Sequence, residues 1–287
     1  MLCGMVILNY QDSKRAKCLA QRCAEFDVIQ KIIVVDNCSN DGSYEELSRI
    51  ENEKISVIQS GENGGFAKGN NCGAKYLINY FSPEYILFAN TDTIFPEENI
   101  LVCIETLKKN PSMGLVSTRM KGPDGKEQLS YFSVPTFGEY LQDYIYIARR
   151  KRYFKRMYIP ENHDAVISVD AVRGSFMLFR TEAFEKANCF DEQTFMYCEE
   201  SIMSMRLQKA GYGVGVCADK WYIHDHHEAE ENAPISAYKR LYKSRQYMMV
   251  NYKNINRFQQ MLMSVLAAYS IMEFRVIAFI KRKGKKK

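Results

Sequence analysis

No two cysteines in this 287-residue chain are spaced C-x-x-C, and the nine form an odd set scattered through apolar runs such as those around Cys3, Cys103 and Cys217. A disulfide framework and a cysteine zinc site are disfavoured, and the thiols read as reduced core residues of a cytosolic chain. No G-x-G-x-x-G follows the first apolar run, and neither G-x-x-x-x-G-K-[ST] nor G-x-S-x-G occurs. The dinucleotide fingerprint, the P-loop and the serine-hydrolase elbow are therefore missing. The opening MLCGMVILNY has no basic stretch ahead of its apolar residues, so no signal peptide is expected. The longest uncharged run, between Arg257 and Glu273, has 15 residues including Gln259, Gln260 and Ser270. That falls short of the ~20 apolar residues of a bilayer span, and the segment is expected to lie on a membrane surface instead of crossing it.

Acid is scarce at one end. The chain carries 39 basic and 34 acidic residues, a net charge of +5. From Ser236 onward there are 13 basic residues and one acid, Glu273, against 26 basic and 33 acidic residues in the first 235. An acidic body with a basic tail argues against a nucleic-acid partner, which would need the positive charge on a folded face. A tail that seeks an anionic surface fits better. With 46% hydrophobic and 25% charged residues, 16 Gly and 7 Pro, there is ample material for a core.

MVILNY, KIIVVDN, ISVIQS and YILFAN are apolar at nearly every position, as in strands buried on both faces. Helical stretches, SKRAKCLAQRCAEF, DGSYEELSRIE and KGNNCGAKYLINYF, separate them, and this alternation predicts a parallel, doubly wound sheet. Ligands of such sheets sit beyond the carboxyl ends of the strands, where Asn9, Asp36 and Asn90 to Asp92 fall. Later, GLVSTRM and VDAVRGSFMLFR read as strands, TEAFEKAN and CEESIMSMRLQKAG as helices, and GVGVCADKWYIHD as a strand with a polar end. Between Ser130 and Asp164 an aromatic and basic insert, with six basic residues from Arg149 to Arg156, is taken as one or two amphipathic helices covering the site or facing a partner.

Each polar cluster has a chemical reading and a structural one. Asp36 can accept the imide N–H of a uracil or thymine ring; equally, Asp36 and Asn37 can open a turn, with Asp41 or Ser43 capping the next helix. Gly64, Gly65 and Gly69 before a helix suit close approach of backbone to a nucleotide, although Asn-Gly-Gly is also a common turn. Asp92 at a strand end can serve a divalent cation whose other ligands are diphosphate and water, or Asp92 and Thr93 can cap the following helix. Glu199 and Glu200 start a helix, where about 100° of rotation lets only one face a given hydroxyl. One can act as general base, or both can complement the helix dipole. WYIHDHH ends a strand with His224, His226 and His227, which can be ligands on the edge that carries Asp92 or purely structural residues of the strand end.

Taken in order, VILNY, VVDNCSNDGS, NGGFAKGNN, FANTDT, GSFMLFR and FDEQTFMYCEESIMSMRLQKAGY resemble glycosyltransferase family 2, inverting enzymes of the GT-A fold, and especially its bacterial rhamnosyltransferase-like branch. The likeness covers roughly residues 4 to 227. It implies an α/β GT-A fold, a Rossmann-like doubly wound mixed sheet, mostly parallel, with a C-terminal helical tail. It further implies nucleotide binding by Asn9, Asp36, Asn37, Asn63, Gly65, Asn71, Asn90 and Thr91, with Asp36 on the nucleobase. Asp92 and His224 would hold Mg²⁺ or Mn²⁺, Arg173, Gly174 and Ser175 would meet the acceptor, and Glu200, or else Glu199, would be the base. Two departures stand out. Asn90 replaces the first acid of D-x-D, leaving one carboxylate for the cation, and Glu200 replaces the usual Asp.

The expected enzyme is a hexosyltransferase that uses a UDP- or dTDP-sugar, with dTDP-L-rhamnose a candidate, and a lipid-linked saccharide acceptor in cell-surface polysaccharide synthesis. A sugar-phosphate nucleotidyltransferase and an inactive membrane-associated scaffold are the alternatives. Residues 1–235 would form the catalytic domain, with a nucleotide-sugar half to about 125 and an acceptor half from 126, and residues 236–287 the tail. Asn256 to Ile280 has apolar residues at helical spacing, and six of the seven residues from Lys281 to Lys287 are basic. This suits an anionic bilayer on the inner face of the plasma membrane, while packing back on the enzyme or on a second copy, as a homodimer, is the other reading.

Overall fold

The computed structural model describes residues 3–144, 165–225 and 235–284, with side chains to residue 277. Most of the basic insert, His226 and His227, and the side chains of the terminal lysine run lie outside these residues.

The expected strands form. β1 (Cys3–Asn9), β2 (Ile29–Asp36), β3 (Ile55–Gln59) and β4 (Tyr85–Asn90) lie parallel in the order β3-β2-β1-β4. Beyond β4 come β11 (Phe176–Arg180), β6 (Met113–Lys121) and β12 (Gly213–His224), with the short β5 (Thr93–Ile94) at the edge, β7 (Glu127–Gln128) paired to β6 and β9 (Val166–Val169) paired to β12. Only β11 and the short edge strands run against the rest, so the sheet is mixed and mostly parallel. Helices α1 (Ser13–Ala24), α2 (Ser43–Ser48), α3 (Gly65–Phe81) and α4 (Glu97–Lys109) fill the crossovers.

Both sheet faces are covered, which explains the continuous apolar runs. Met5, Ile7, Ile32 and Val34 face one core with Leu19 and Ile104, while Val6, Ile33 and Val35 face the other with Ala74 and Leu77. Phe88, Phe179, Phe184 and Phe190 cluster there with ring centroids 5.1 to 5.9 Å apart. Each such ring contributes about 1.5–3 kcal/mol by burial.

Glycine decides where α3 lies. A Cβ on Gly69 would come within 2.4 Å of Leu8, and one on Gly73 within 2.6 Å of Val6, so helix and sheet approach closely along a four-residue repeat. The repeat begins at Gly65, three residues before the expected helix start. Gly65 has φ +80°, and a Cβ there would sit 1.9 Å from the Phe195 carbonyl, so only glycine fits.

One expected strand is two. VDAVRGSFMLFR breaks at Arg173 to Ser175, because β10 (Ala171–Val172) pairs with β8 (Tyr131–Phe132) in a separate two-stranded sheet while Phe176 onward joins the main one. β12 carries a bulge between Cys217 and Trp221 that turns its end toward β5.

The chain divides into two compact units, the main sheet with its helices being one. The other draws on the Phe137–Asp143 helix, Met196–Cys198 and two C-terminal helices, Ile235–Tyr252 and Arg257–Gly284. Between those two helices, Phe274 stacks on Tyr238 with centroids 4.0 Å apart, and the Ser270 hydroxyl lies 2.6 Å from that of Tyr242. The opposite side of the last helix presents Phe258, Met261, Val265, Tyr269, Met272 and Val276, each at least 47% exposed. Their spacing of three and four residues makes one stripe about 27 Å long at 1.5 Å per residue. By length and composition Arg257–Ile277, of mean hydropathy 1.3, is apolar enough to cross a membrane, which the count of 15 uncharged residues did not anticipate.

Candidate active site

Three strands deliver polar residues to one edge. Asn9 pairs in register with Asp36, and Leu8 with Asn90, so the ends of β1, β2 and β4 lie side by side. Asp36 is fully buried. Its Oδ1 accepts from Asn9 Nδ2 at 2.8 Å and its Oδ2 from the Ser39 N–H at 3.0 Å, so both buried carboxyl oxygens have a donor. Asn37 donates from Nδ2 to Asn63 Oδ1 at 3.0 Å and to the Gly65 carbonyl at 3.2 Å, and accepts from the Ser60 hydroxyl at 2.9 Å. The glycine loop is thus tied to the end of β2. Asn71 is used differently: its amide donates to the Phe190 carbonyl and to Glu192 Oε1, and its oxygen accepts the Phe190 N–H, so it clamps α3 to the Phe190 loop instead of facing the glycine loop.

The Thr91 hydroxyl donates to Asp12 Oδ2 at 2.7 Å, and the Asp12 N–H donates to Asn9 Oδ1 at 3.1 Å. Asp12 therefore joins the first strand end to the Asn90-Thr91-Asp92 turn, a role that reading the sequence missed. Next, β5 pairs with β12, Thr93 opposite His224, and brings His224 Nε2 to 3.2 Å from Asp92 Oδ1. Both side chains are mostly buried, 19% and 15% exposed. An imidazole nitrogen beside one carboxylate fits a divalent cation whose remaining ligands come from a diphosphate. Among the described residues no group of three or more His, Cys, Asp or Glu could hold an ion unaided, consistent with Asn90 in place of an acid.

On the far side of β4, Asn90 N–H donates to the Ser175 carbonyl at 3.0 Å. Gly174 N–H then donates to Glu200 Oε1 at 3.2 Å, so the break between β10 and β11 reaches the candidate base. Arg173 is exposed, its Nε on the Leu129 carbonyl at 3.1 Å and its guanidinium over Phe132. Ser175 is buried, and its hydroxyl is 2.7 Å from that of Tyr222. Instead of facing outward, it supports the loop.

Tyr222 was also missed. Burial raises its pKa above the ordinary phenol value, its bond to Ser175 and the Arg173 charge oppose that shift, and Asp92 and Glu200 reinforce it. One phenol thus feels the candidate metal ligand, base and acceptor residues together. The signal was present in WYIHD: strand alternation puts Tyr222 on the face of His224.

Glu199 and Glu200 differ in environment. Glu199 is 7% exposed, and its Oε2 is buried with no hydrogen-bond partner. Burial, and then the neighbouring Glu200 charge, hold its carboxyl well above the usual carboxylate range. Glu200 is half-buried and keeps Oε1 on the Gly174 N–H. Only Glu200 joins the strand-end cluster.

The profile of Glycosyl transferase family 2 matches residues 16–187, more than half of the chain. The chain belongs to glycosyl transferase family 2. A relative is the low-salt glycan biosynthesis hexosyltransferase Agl10 of Haloferax volcanii, 26% identical over 222 residues, 77% of this chain and 66% of that one. Another is the rhamnosyltransferase WbbL of Escherichia coli, 32% identical over 150 residues, 51% of this chain and 55% of that one. This family 2 chain therefore spans between half and two thirds of the length of the curated relatives it matches. Among solved structures, S. aureus TarS 1-349 in complex with UDP has a TM-score of 0.57 at 17% identity, over 91% of this chain and 68% of that one. The mannosyltransferase PcManGT from Pyrobaculum calidifontis, in complex with GDP-Man and Mn²⁺, has a TM-score of 0.58 at 13% identity, over 99% and 79%. The likeness is one of fold, the GT-A fold expected for family 2.

Proposed function

We propose that this family 2 chain is an inverting glycosyltransferase that moves a sugar from a UDP- or dTDP-sugar, dTDP-L-rhamnose foremost, to a hydroxyl of a lipid-linked saccharide in cell-surface polysaccharide synthesis. The observation that carries this reading is the gathering of Asp36, the Asp92–His224 pair and Glu200 along one sheet edge. The name of the E. coli relative supports rhamnose, and UDP in the TarS complex supports a pyrimidine donor.

In this mechanism Asp36, Asn37 and the Asn63–Gly65 loop bind the nucleoside. Glu200, oriented by the Gly174 N–H, takes the proton of the acceptor hydroxyl as that oxygen bonds to the anomeric carbon. The bond from that carbon to the diphosphate oxygen breaks in the same displacement, with no covalent sugar–enzyme intermediate. Asp92 and His224 would hold a Mg²⁺ or Mn²⁺ ion, which when bound supplies positive charge against the departing diphosphate. Arg173 stands at the acceptor side.

A panel of nucleotide sugars is expected to yield one donor that protects against thermal unfolding and releases free nucleoside diphosphate. Release of pyrophosphate would make the chain a nucleotidyltransferase, and protection without turnover by any donor and acceptor would favour the scaffold.

The exposed stripe of the last helix, followed by the basic run, is assigned to the inner face of the plasma membrane, with about 1 kcal/mol per basic residue near anionic lipid. Flotation with anionic vesicles should show binding at low salt that weakens at high salt. Removal of Lys281–Lys287 should abolish most of it; equal binding by the shortened chain would refute the role of the run.

A further inference from the structure

Residues 173–175 belong to neither sheet. Val172 ends the pairing with β8 and Phe176 begins the pairing with β4, so the chain crosses from one sheet to the other without a ladder of its own. Backbone bonds hold the ends of the crossing, Arg173 N–H on the Ser130 carbonyl and Asn90 N–H on the Ser175 carbonyl, each 3.0 Å. Between them Gly174 gives its N–H to Glu200 Oε1. The approach is close, since a Cβ on Gly174 would lie 3.2 Å from that oxygen. Where this N–H points therefore depends on how its neighbours are held.

Ser175 is held by its side chain. Its hydroxyl meets the Tyr222 hydroxyl at 2.7 Å and lies 3.8 Å from Met120 Sδ. A serine proton directed at the sulfur leaves the phenol to donate to Ser175 Oγ, and burial keeps that phenol protonated. The phenol itself is fixed: its ring stacks on Phe176 with centroids 5.4 Å apart, and Phe176 packs on Phe95 at 4.8 Å. The Phe176 carbonyl accepts from the Ser117 hydroxyl at 2.7 Å. Tyr222 and Ser175 are both buried, so parting their hydroxyls would leave two polar groups without partners or water. All of these residues lie in the same compact unit as Glu200.

We propose that Tyr222 is a positioning residue for the proton-accepting Glu200: its hydroxyl, through Ser175, fixes the Gly174 N–H that orients the carboxylate. This rests on the reading of Glu200 as base. It gives β12 a second task, since His224 stands two residues further along the same strand.

Tyr222→Phe keeps the ring and removes the hydroxyl. It is expected to lower kcat about tenfold, since small misplacements of a reacting group are costly, with the donor KM within about twofold. The Gly174 amide should also exchange faster. Ser175→Ala should behave in the same way. Combining Tyr222→Phe with Ser175→Ala separates positioning from stability. With both hydroxyls gone neither is left unpaired, so the unfolding midpoint should return toward that of the parent while kcat stays as low as in either single variant. In a Glu200→Gln background, Tyr222→Phe should change the residual rate by less than about twofold, because no base remains to be misplaced. Recovery of kcat along with stability in the double variant, or a further loss of about tenfold on top of Glu200→Gln, would overturn the proposal. So would a Gly174 amide that exchanges in Tyr222→Phe at the parent's rate. If the parent turns over no donor, the sugar-transfer reading fails, and the Gly174 exchange rate still decides whether the Tyr222 hydroxyl holds this loop.

Discussion

Replacing Glu200 with glutamine is expected to lower kcat by about 10² to 10⁴-fold while the donor KM stays within about twofold. Glutamine keeps the shape of the side chain and can still accept the Gly174 N–H through its amide oxygen, so the loop should hold. What it cannot do is take a proton. The loss should therefore fall on kcat. A rate within a few-fold of the parent would remove Glu200 from the role. Glu199→Gln reads the other half of the pair, through stability. The Glu199 carboxyl is held above its unfolded value by burial, so in the native state the group stays protonated while the unfolded chain ionises. Stability from that protonated group is fully present below the unfolded pKa and is lost as pH rises toward the folded one. Glutamine, which never ionises, should leave stability unchanged near pH 4 and raise it increasingly above that, by at most about 1.4 kcal/mol per pH unit. Denaturant unfolding at pH 5 and pH 8 measures this. Equal stability of variant and parent at pH 8 would mean that burial does not raise the Glu199 pKa in the fold.

Asp92→Ala should be of similar size, a fall of at least about 10² in kcat, or roughly 2.7 kcal/mol in the barrier. With Asn90 in place of a first acid, Asp92 is the one carboxylate of the turn, and His224 lies 3.2 Å from it. The alanine would leave the imidazole to hold a cation alone. A second readout does not depend on turnover. In the parent, UDP with Mn²⁺ should raise the unfolding temperature more than UDP without the ion, and in Asp92→Ala that difference should vanish. If the variant keeps the difference and its rate, the cation site lies elsewhere.

Much of this site could be read along the chain, for one physical reason. Strands buried on both faces must be apolar throughout, so the first polar residue after each run marks the sheet edge. Asn9, Asp36 and Asn90 to Asp92 are such residues, and the register of the strands puts them together as expected. His224 was legible as a strand end, although only its pairing with Thr93 put it beside Asp92.

Residues whose partners are remote in sequence were read less well. Asn71 looks like part of a nucleotide loop until Phe190, 119 positions later, takes both sides of its amide. Ser175 looks exposed in RGS until Tyr222 meets it from a strand 47 positions away. The break of VDAVRGSFMLFR into two strands follows from β8, which competes for its first half. By itself the sequence determined the sheet, the polar edge and the basic tail, because alternating burial and charge are written locally. Which carboxylate of the Glu199–Glu200 pair reaches that edge was decided only by the tertiary structure, because it depends on the hydrogen bond from Gly174, which a distant part of the chain brings to Glu200.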